Sequence, residues 1–116
     1  MPLTARQQLG RQGEERALAH LSSHGLVLVE RNFLCKLGEI DLIMRHGAHL
    51  VFVEVRRRAD RKHGGAAASV TPAKQQRLIR AAQYYLQRYP RLPPCRFDLV
   101  AIDGAELSWM QNVLEM

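Results

Sequence analysis

Residues 50–55 carry apolar side chains in both of their alternating sets, and Glu54 is the one polar residue among them. Successive side chains of a strand point to opposite faces, so a strand of this composition is buried on both sides. Helices or other cover must therefore lie on each side of the sheet that contains it. This pattern predicts an α/β fold arranged as a three-layer sandwich.

Two helices and about five strands are predicted around this segment. Residues 4–24 repeat apolar or small side chains at helical spacing, with Leu9 in the apolar stripe, and stop at Gly25. A second helix begins at Thr71-Pro72 and ends before Pro90. The remaining apolar runs predict strands at 26–29, 39–45, 49–58, 97–102 and 107–110. The order is α-β-β-β-α-β-β, and the first three strands are expected to form an antiparallel meander within a central mixed sheet.

The size and the termini limit the class of protein. A chain of 116 residues allows one hydrophobic core, so residues 1–116 are expected to form a single domain. No apolar run approaches the roughly 20 residues that cross a membrane, and the first residues lack the apolar region of a secretory signal. We therefore expect a cytoplasmic protein without a membrane partner. Cys35 and Cys95 lack C-x-x-C spacing, which favours partly buried, reduced thiols over a zinc site or a disulfide framework.

The chain is basic, with 17 Lys and Arg residues against 11 Asp and Glu residues and a net charge of +6. All but three of the basic residues are arginines, whose planar guanidinium groups match phosphate oxygens well. Such a balance suggests a polyanionic partner, although a merely soluble surface explains it equally well.

Acidic residues recur on two neighbouring predicted strands. Glu39 and Asp41 are expected to share one face of a strand, and Glu54 and Arg56 one face of the next. If residues 47 and 48 are the centre of the turn, Asp41 lies opposite Glu54 and Glu39 lies opposite Arg56. Carboxylates whose Cβ atoms are about 4.5–5.5 Å apart repel each other. Either a divalent cation or Arg56 is expected to compensate this repulsion.

A third carboxylate comes from the first helix. At about 100° per residue, Glu14 projects into the middle of the apolar stripe, whereas Glu15 projects outside it. A carboxylate directed at the core is costly unless it is paired, neutralised or bound to metal. Glu14 is therefore either a site residue or the partner of an arginine, and Glu15 is expected to be solvated.

Six segments along the chain together resemble a bacterial family often called YraN-like. The segments are Gly13-Glu14, Arg31-Asn32-Phe33, residues 38–43, residues 52–55, Lys74 and Arg96-Phe97-Asp98. The match extends from about Gly10 to Trp109. This family in turn resembles archaeal Holliday junction resolvases within the PD-(D/E)xK nuclease superfamily. The resemblance implies a restriction-endonuclease-like fold and metal-dependent hydrolysis of phosphodiester bonds.

The resemblance also assigns roles to residues of this chain. It implies that Glu14, Asp41 and Glu54 hold Mg²⁺ or Mn²⁺. Arg56 stands where these nucleases have a lysine that orients the attacking water, and this exchange is not conservative. Lys74, at the start of the second helix, either substitutes for that lysine or extends to solvent.

A basic segment follows the second acidic strand. Arg57, Arg58, Arg61 and Lys62 either bind nucleic-acid phosphates or keep a loop soluble. Residues 59–69 also contain two adjacent glycines and three adjacent alanines, and we expect them to form a mobile basic loop without helix or strand.

Three functional hypotheses follow. The first is a divalent-metal-dependent nuclease acting on nucleic acid, with DNA favoured over RNA and branched or repair and recombination intermediates among the substrates. The second is a nucleic-acid-binding module that retains the nuclease fold without catalysis, because Arg56 replaces the lysine. In the third, the protein is structural and Arg56 bridges Glu39 and Glu54. Both a monomer and a homodimer remain open.

Overall fold

The computed structural model describes residues 2–115, apart from the side chain of His63. Its helices are α1 (Ala5–Ser23), the short α2 (Gly65–Ala68) and α3 (Pro72–Leu86), and a 3₁₀ turn (Lys62–Gly64) precedes α2. Its strands are β1 (Val27–Cys35), β2 (Gly38–His46), β3 (His49–Arg58), β4 (Cys95–Asp103) and β5 (Glu106–Met110). The predicted elements are all present, and α2 is additional.

The strands form one five-stranded sheet in the order β1-β2-β3-β4-β5. Strands β3 and β4 are parallel, whereas the other neighbouring pairs are antiparallel. The predicted meander of the first three strands is thus confirmed, and so is the mixed sheet. The parallel pair requires a crossover connection, which contains α2 and α3.

Strand β3 is covered on both faces, as its composition predicted. Phe52 packs in a cluster with Tyr85 of α3, and Tyr85 is only 2% exposed. Val51 and Val53 pack on the other face with Leu21 of α1. The fold is therefore a three-layer α/β sandwich with a helix on each side of the sheet.

The two halves of α1 differ in burial. Thr4 caps the helix by accepting a hydrogen bond from the backbone N–H of Gln7, and buried residues begin only at Gly13. Leu9 is 47% exposed, so its predicted place in the core stripe is wrong. The helical phase is correct, but the first two turns of α1 bury no side chain against the sheet.

The prediction that residues 59–69 lack helix is wrong. Gly65 and Ala66 are buried, and the backbone N–H of Ala66 donates to Oδ1 of Asp103 at 2.7 Å. Gly65 has a φ of +74°, and a Cβ there would lie 2.7 Å from the same oxygen. Small residues are needed here because the backbone of α2 packs directly against the end of β4.

Asp98 in β4 is the buried charge that ties the end of the chain to the sheet. It is 1% exposed and accepts hydrogen bonds from Nε of Arg96 at 3.0 Å, from Nε1 of Trp109 at 3.0 Å and from the backbone N–H of Asn112 at 3.0 Å. Arg96 and Asp98 thus form an ion pair within β4. Its several donors satisfy a carboxylate that water does not reach.

We expect Asp98→Ala to lower the free energy of unfolding by about 3–5 kcal/mol, because it leaves a largely buried guanidinium without a counter-charge. The matched control is Glu30→Ala, which removes an exposed pair with Arg88 at 3.6 Å and should cost about 0–1 kcal/mol. Urea unfolding followed by far-ultraviolet circular dichroism measures both variants. Equal losses in the two variants would contradict this assignment.

Candidate active site

The alternation of side chains between the two faces of β2 is interrupted at Asp41. Ile40 packs in the cluster on the α3 side, whereas Leu42 packs in the cluster on the α1 side. Residues two apart on a regular strand share a face, so the predicted regular alternation through Asp41 is wrong. Asn32, across the β1–β2 pair, has a left-handed φ of 51°, and neither Asn32 nor Asp41 takes part in the register of that pair. Such irregularities redirect side chains next to functional sites.

The redirected carboxylate of Asp41 binds the backbone of β3. Its Oδ2 accepts a hydrogen bond from the N–H of Val55 at 2.8 Å. The β2–β3 register runs from His46↔His49 to Leu42↔Val53, as expected for a turn at residues 47 and 48. The regular pairing ends there, and the side chain of Asp41 satisfies a backbone donor just beyond it.

Glu54 lies directly beside Asp41. Burial, the negative charge of Asp41 and a hydrogen bond between the two carboxyl groups raise the pKa of Glu54 to about 9, which the charge of Arg56 only partly offsets. Only 16% of the Glu54 side chain is exposed. Glu54 therefore keeps its proton near neutral pH.

Glu14 approaches the same region from α1. Burial first, and then the charge of Asp41, raise the pKa of Glu14, while Arg31 and the amide of Asn32 lower it. Its Oε1 is buried and has no hydrogen-bond partner among residues 2–115. Burial and the charge of Asp41 also raise the pKa of Glu39. Glu15 instead forms an exposed pair with Arg31 at 2.5 Å.

Asp41 and Glu54 are the residues best placed to hold a metal ion. In the part of the chain that is described, no set of three His, Cys, Asp or Glu side chains is arranged so that it could hold one. Mg²⁺, however, commonly uses one or two carboxylates and fills its remaining positions with water and substrate phosphate. The all-oxygen donor pair and the unpartnered Oε1 of Glu14 are of the chemical type that fits such an ion.

Two basic side chains near Glu54 both contact Ser69. Nη1 of Arg56 lies 4.0 Å from Oε1 of Glu54, and Nε of Arg56 donates to Oγ of Ser69 at 2.9 Å. Nζ of Lys74 donates to the carbonyl oxygen of Ser69 at 3.3 Å. The positive charge of Arg56, burial and the charge of Arg58 lower the pKa of Lys74. Among the described residues Arg56 makes no ion pair with Glu39, so the predicted bridge between Glu39 and Glu54 is present only in its second half.

The sequence that contains these residues matches a known protein family. The family model described as "Uncharacterised protein family UPF0102" matches residues 13–102. This span contains the carboxylate cluster, which consists of Glu14, Glu39, Asp41 and Glu54. A UPF0102 protein of Herminiimonas arsenicoxydans is 61% identical over 114 residues, which are 98% of this chain and 92% of the relative. A UPF0102 protein of Janthinobacterium sp. (strain Marseille) is 59% identical over 114 residues, with 98% and 93% covered. The chain belongs to the UPF0102 family.

In this UPF0102 protein the four basic residues after Arg56 are not equivalent. Arg61 pairs with Glu106 and lies 3.8 Å from Oδ2 of Asp103, so its charge is compensated. Arg57, Arg58 and Lys62 are exposed. Across the described residues no helix is long and apolar enough to cross a membrane.

Ser69 is the site residue that sequence reasoning missed. It lies in the segment expected to be a mobile loop, and no motif distinguishes it from other serines. Its contact with Arg56 depends on α2, whose C-cap it forms.

We expect the Asp41–Glu54 pair to make the folded protein less stable as pH rises. Between the ordinary pKa of 4.5 and about 9, the folded state keeps a proton on Glu54 that the unfolded chain has lost. The free energy of unfolding should therefore fall with pH by at most about 1.4 kcal/mol per pH unit from this pair. Glu54→Gln should remove this contribution.

Urea unfolding in the presence of a chelator, repeated from about pH 5 to about pH 9, measures this dependence. Glu15→Gln is the control and should keep the wild-type slope. Identical slopes in wild type and Glu54→Gln would mean that the pKa of Glu54 is not raised in the folded protein.

Proposed function

We propose that this protein is a divalent-metal-dependent nuclease that hydrolyses phosphodiester bonds in DNA, including branched or repair intermediates. The observation that carries the proposal is the pairing of Asp41 with Glu54 at the end of the core, with Arg56 and Lys74 beside them. Oxygen donors next to two cationic side chains form a site that suits a metal ion and a phosphate together.

The chemistry divides between the acidic and the basic side of this site. Asp41 and Glu54 would hold Mg²⁺ or Mn²⁺, and Glu14 would complete the acidic side through its unpartnered oxygen. When bound, such an ion polarises a phosphoryl oxygen and lowers the pKa of a water molecule. The backbone N–H of Val55 fixes the orientation of Asp41, so this carboxylate is positioned before any ligand arrives.

Arg56 and Lys74 together would serve the roles that one lysine has in the PD-(D/E)xK nucleases that the sequence resembles. Arg56 stays protonated and suits the negative charge that develops on the phosphate. Lys74 is the basic side chain whose pKa is lowered, chiefly by the charge of Arg56, and it is therefore better suited to exchanging a proton. Both groups reach Ser69, which places them on the same side of Glu54.

A non-catalytic nucleic-acid-binding module is the second candidate. It is favoured by the 4.0 Å approach of Arg56 to Glu54, because a permanent cation there neutralises the acidic side without a metal ion. In such a module the loss of a carboxylate would leave DNA binding intact.

A cleavage panel tests the nuclease. Wild type should cleave at least one of linear duplex, single-stranded and branched DNA with Mg²⁺ or Mn²⁺, and Asp41→Asn should lower the rate about 100-fold or more. Arg56→Lys should retain or raise the activity, because it restores the residue expected at this position. Absence of cleavage by pure wild type under all conditions, or equal rates in Asp41→Asn, would refute the proposal.

Glu14→Gln and Glu15→Gln form a matched pair for the third carboxylate. They remove the same charge from adjacent residues of α1, but only Glu14 has an oxygen buried near Asp41. We expect Glu14→Gln to weaken Mn²⁺ binding in titration calorimetry by about 10-fold or more, and Glu15→Gln to leave it within about 2-fold. Equal affinities would place Glu14 outside the metal site.

A further inference from the structure

A cleft of about 420 Å³ lies between the first turns of α1 and the end of β3. Its lining includes Arg6, Gly10 and Gly13 from α1 and Arg56, Arg57 and Arg58 from β3. Among residues 2–115, no Asp or Glu lines it. Neither Asp41 nor Glu54 is among its described lining residues, and its positive charge comes from both of its walls.

The charge of this cleft is largely uncompensated. Arg6, Arg57 and Arg58 make no ion pair with any carboxylate among residues 2–115, whereas Arg61 and Arg96 are paired. Cationic side chains that gather without counter-charges raise the free energy of the isolated protein and favour an anionic ligand. The arginine fork matches phosphate oxygens in particular.

The α1 wall of the cleft has no side chains at two positions. Gly10 has an ordinary helical conformation, and a Cβ built there meets no atom within 4 Å. Nothing in the fold therefore requires glycine at this position, although glycine weakens a helix relative to alanine. A Cβ at Gly13 would lie 3.5 Å from Cδ of Arg57, so the stem of Arg57 packs on the bare backbone there. The groove stays open where the helix would otherwise fill it.

The cleft leads to the carboxylates through shared residues. Val55 lines the cleft and donates its N–H to Asp41, and Arg56 lines it while approaching Glu54. Gly13 immediately precedes Glu14. A chain of phosphates lying in the cleft would thus continue into the candidate active site.

We propose that this cleft binds the phosphodiester backbone of a nucleic acid, on the segment that flanks the reactive phosphate. The inference rests on the proposed function, because it assigns the path of that substrate. The described residues that line the cleft include no aromatic side chain that could stack on a base. Recognition is therefore through the backbone and independent of sequence.

Gly10→Glu tests the cleft without disturbing the packing. Its carboxylate enters the groove and pairs with the arginines, so affinity for a fluorescein-labelled oligonucleotide should fall about 10-fold or more. The matched control is Gln12→Glu, which adds the same single negative charge to the same helix but faces a different surface, beside Gln8 and Arg16. It should change the affinity less than about 2-fold. Circular dichroism should show the same helical content in both variants.

The arginines are tested separately by Arg6→Gln and Arg57→Gln. Each should weaken binding uniformly across unrelated sequences and reduce the slope of log affinity against log salt by about 1. Polyglutamate serves as a competitor. Displacement of the oligonucleotide by polyglutamate at equal charge concentration would show nonspecific polyanion exchange and overturn the proposal, as would equal affinities of Gly10→Glu and Gln12→Glu.

All binding is measured by fluorescence anisotropy in a chelator and in the Asp41→Asn background, so that cleavage plays no part. If Gly10→Glu weakens binding under these conditions while wild type cleaves no substrate, the binding role of the cleft is supported and the nuclease proposal is refuted. If wild type cleaves DNA and Gly10→Glu binds with the same affinity as Gln12→Glu, the nuclease proposal is supported and the binding role of the cleft is refuted.

Discussion

The burial of β3 on both faces is the constraint on which the rest of the molecule depends. Phe52 and Val53 belong to different hydrophobic clusters although they are adjacent in sequence, and each cluster recruits its own helix. Strand β3 also pairs with β2 along one edge and with β4 along the other, so it lies in the interior of the sheet. Glu54 directly follows the four buried apolar residues of this strand, so it lies where the fully buried part of β3 ends. This position explains why the Glu54 side chain is mostly buried.

The carboxylate cluster opposes the stability that the core provides. Burying Glu54 beside Asp41 costs free energy, and the protein offsets part of it with the N–H of Val55 and the guanidinium of Arg56. Glu14 keeps a buried oxygen without a partner among residues 2–115. Arrangements that break local rules without a structural gain are expected at functional sites. Asp98 shows the contrast, because all of its partners are within the chain and it forms no part of the cluster.

Sequence patterns predicted the features that depend on local periodicity. The composition of residues 50–55 predicted the layers, Thr71-Pro72 predicted the start of α3, and the turn at 47–48 predicted the register of β2 and β3. The break at Asp41 was missed because a pattern of alternating residues assumes a regular strand. The burial of α2 was missed because it depends on Asp103, 37 residues beyond Ala66. Leu9 has the right helical phase, but the extent of the sheet beneath it is not a local property.

Arg56 connects the two halves of the site. Its guanidinium contacts Glu54 and Ser69, and the same residue lines the cleft between α1 and β3. A lysine has a single donor group at the end of its side chain, whereas the planar fork of arginine can contact Ser69 and Glu54 at once. That geometry connects the end of α2 to Glu54, and Nζ of Lys74 donates to the carbonyl oxygen of the same serine. Arg56 therefore belongs both to the lining of the cleft and to the surroundings of the acidic pair, and both contacts depend on the position of one side chain.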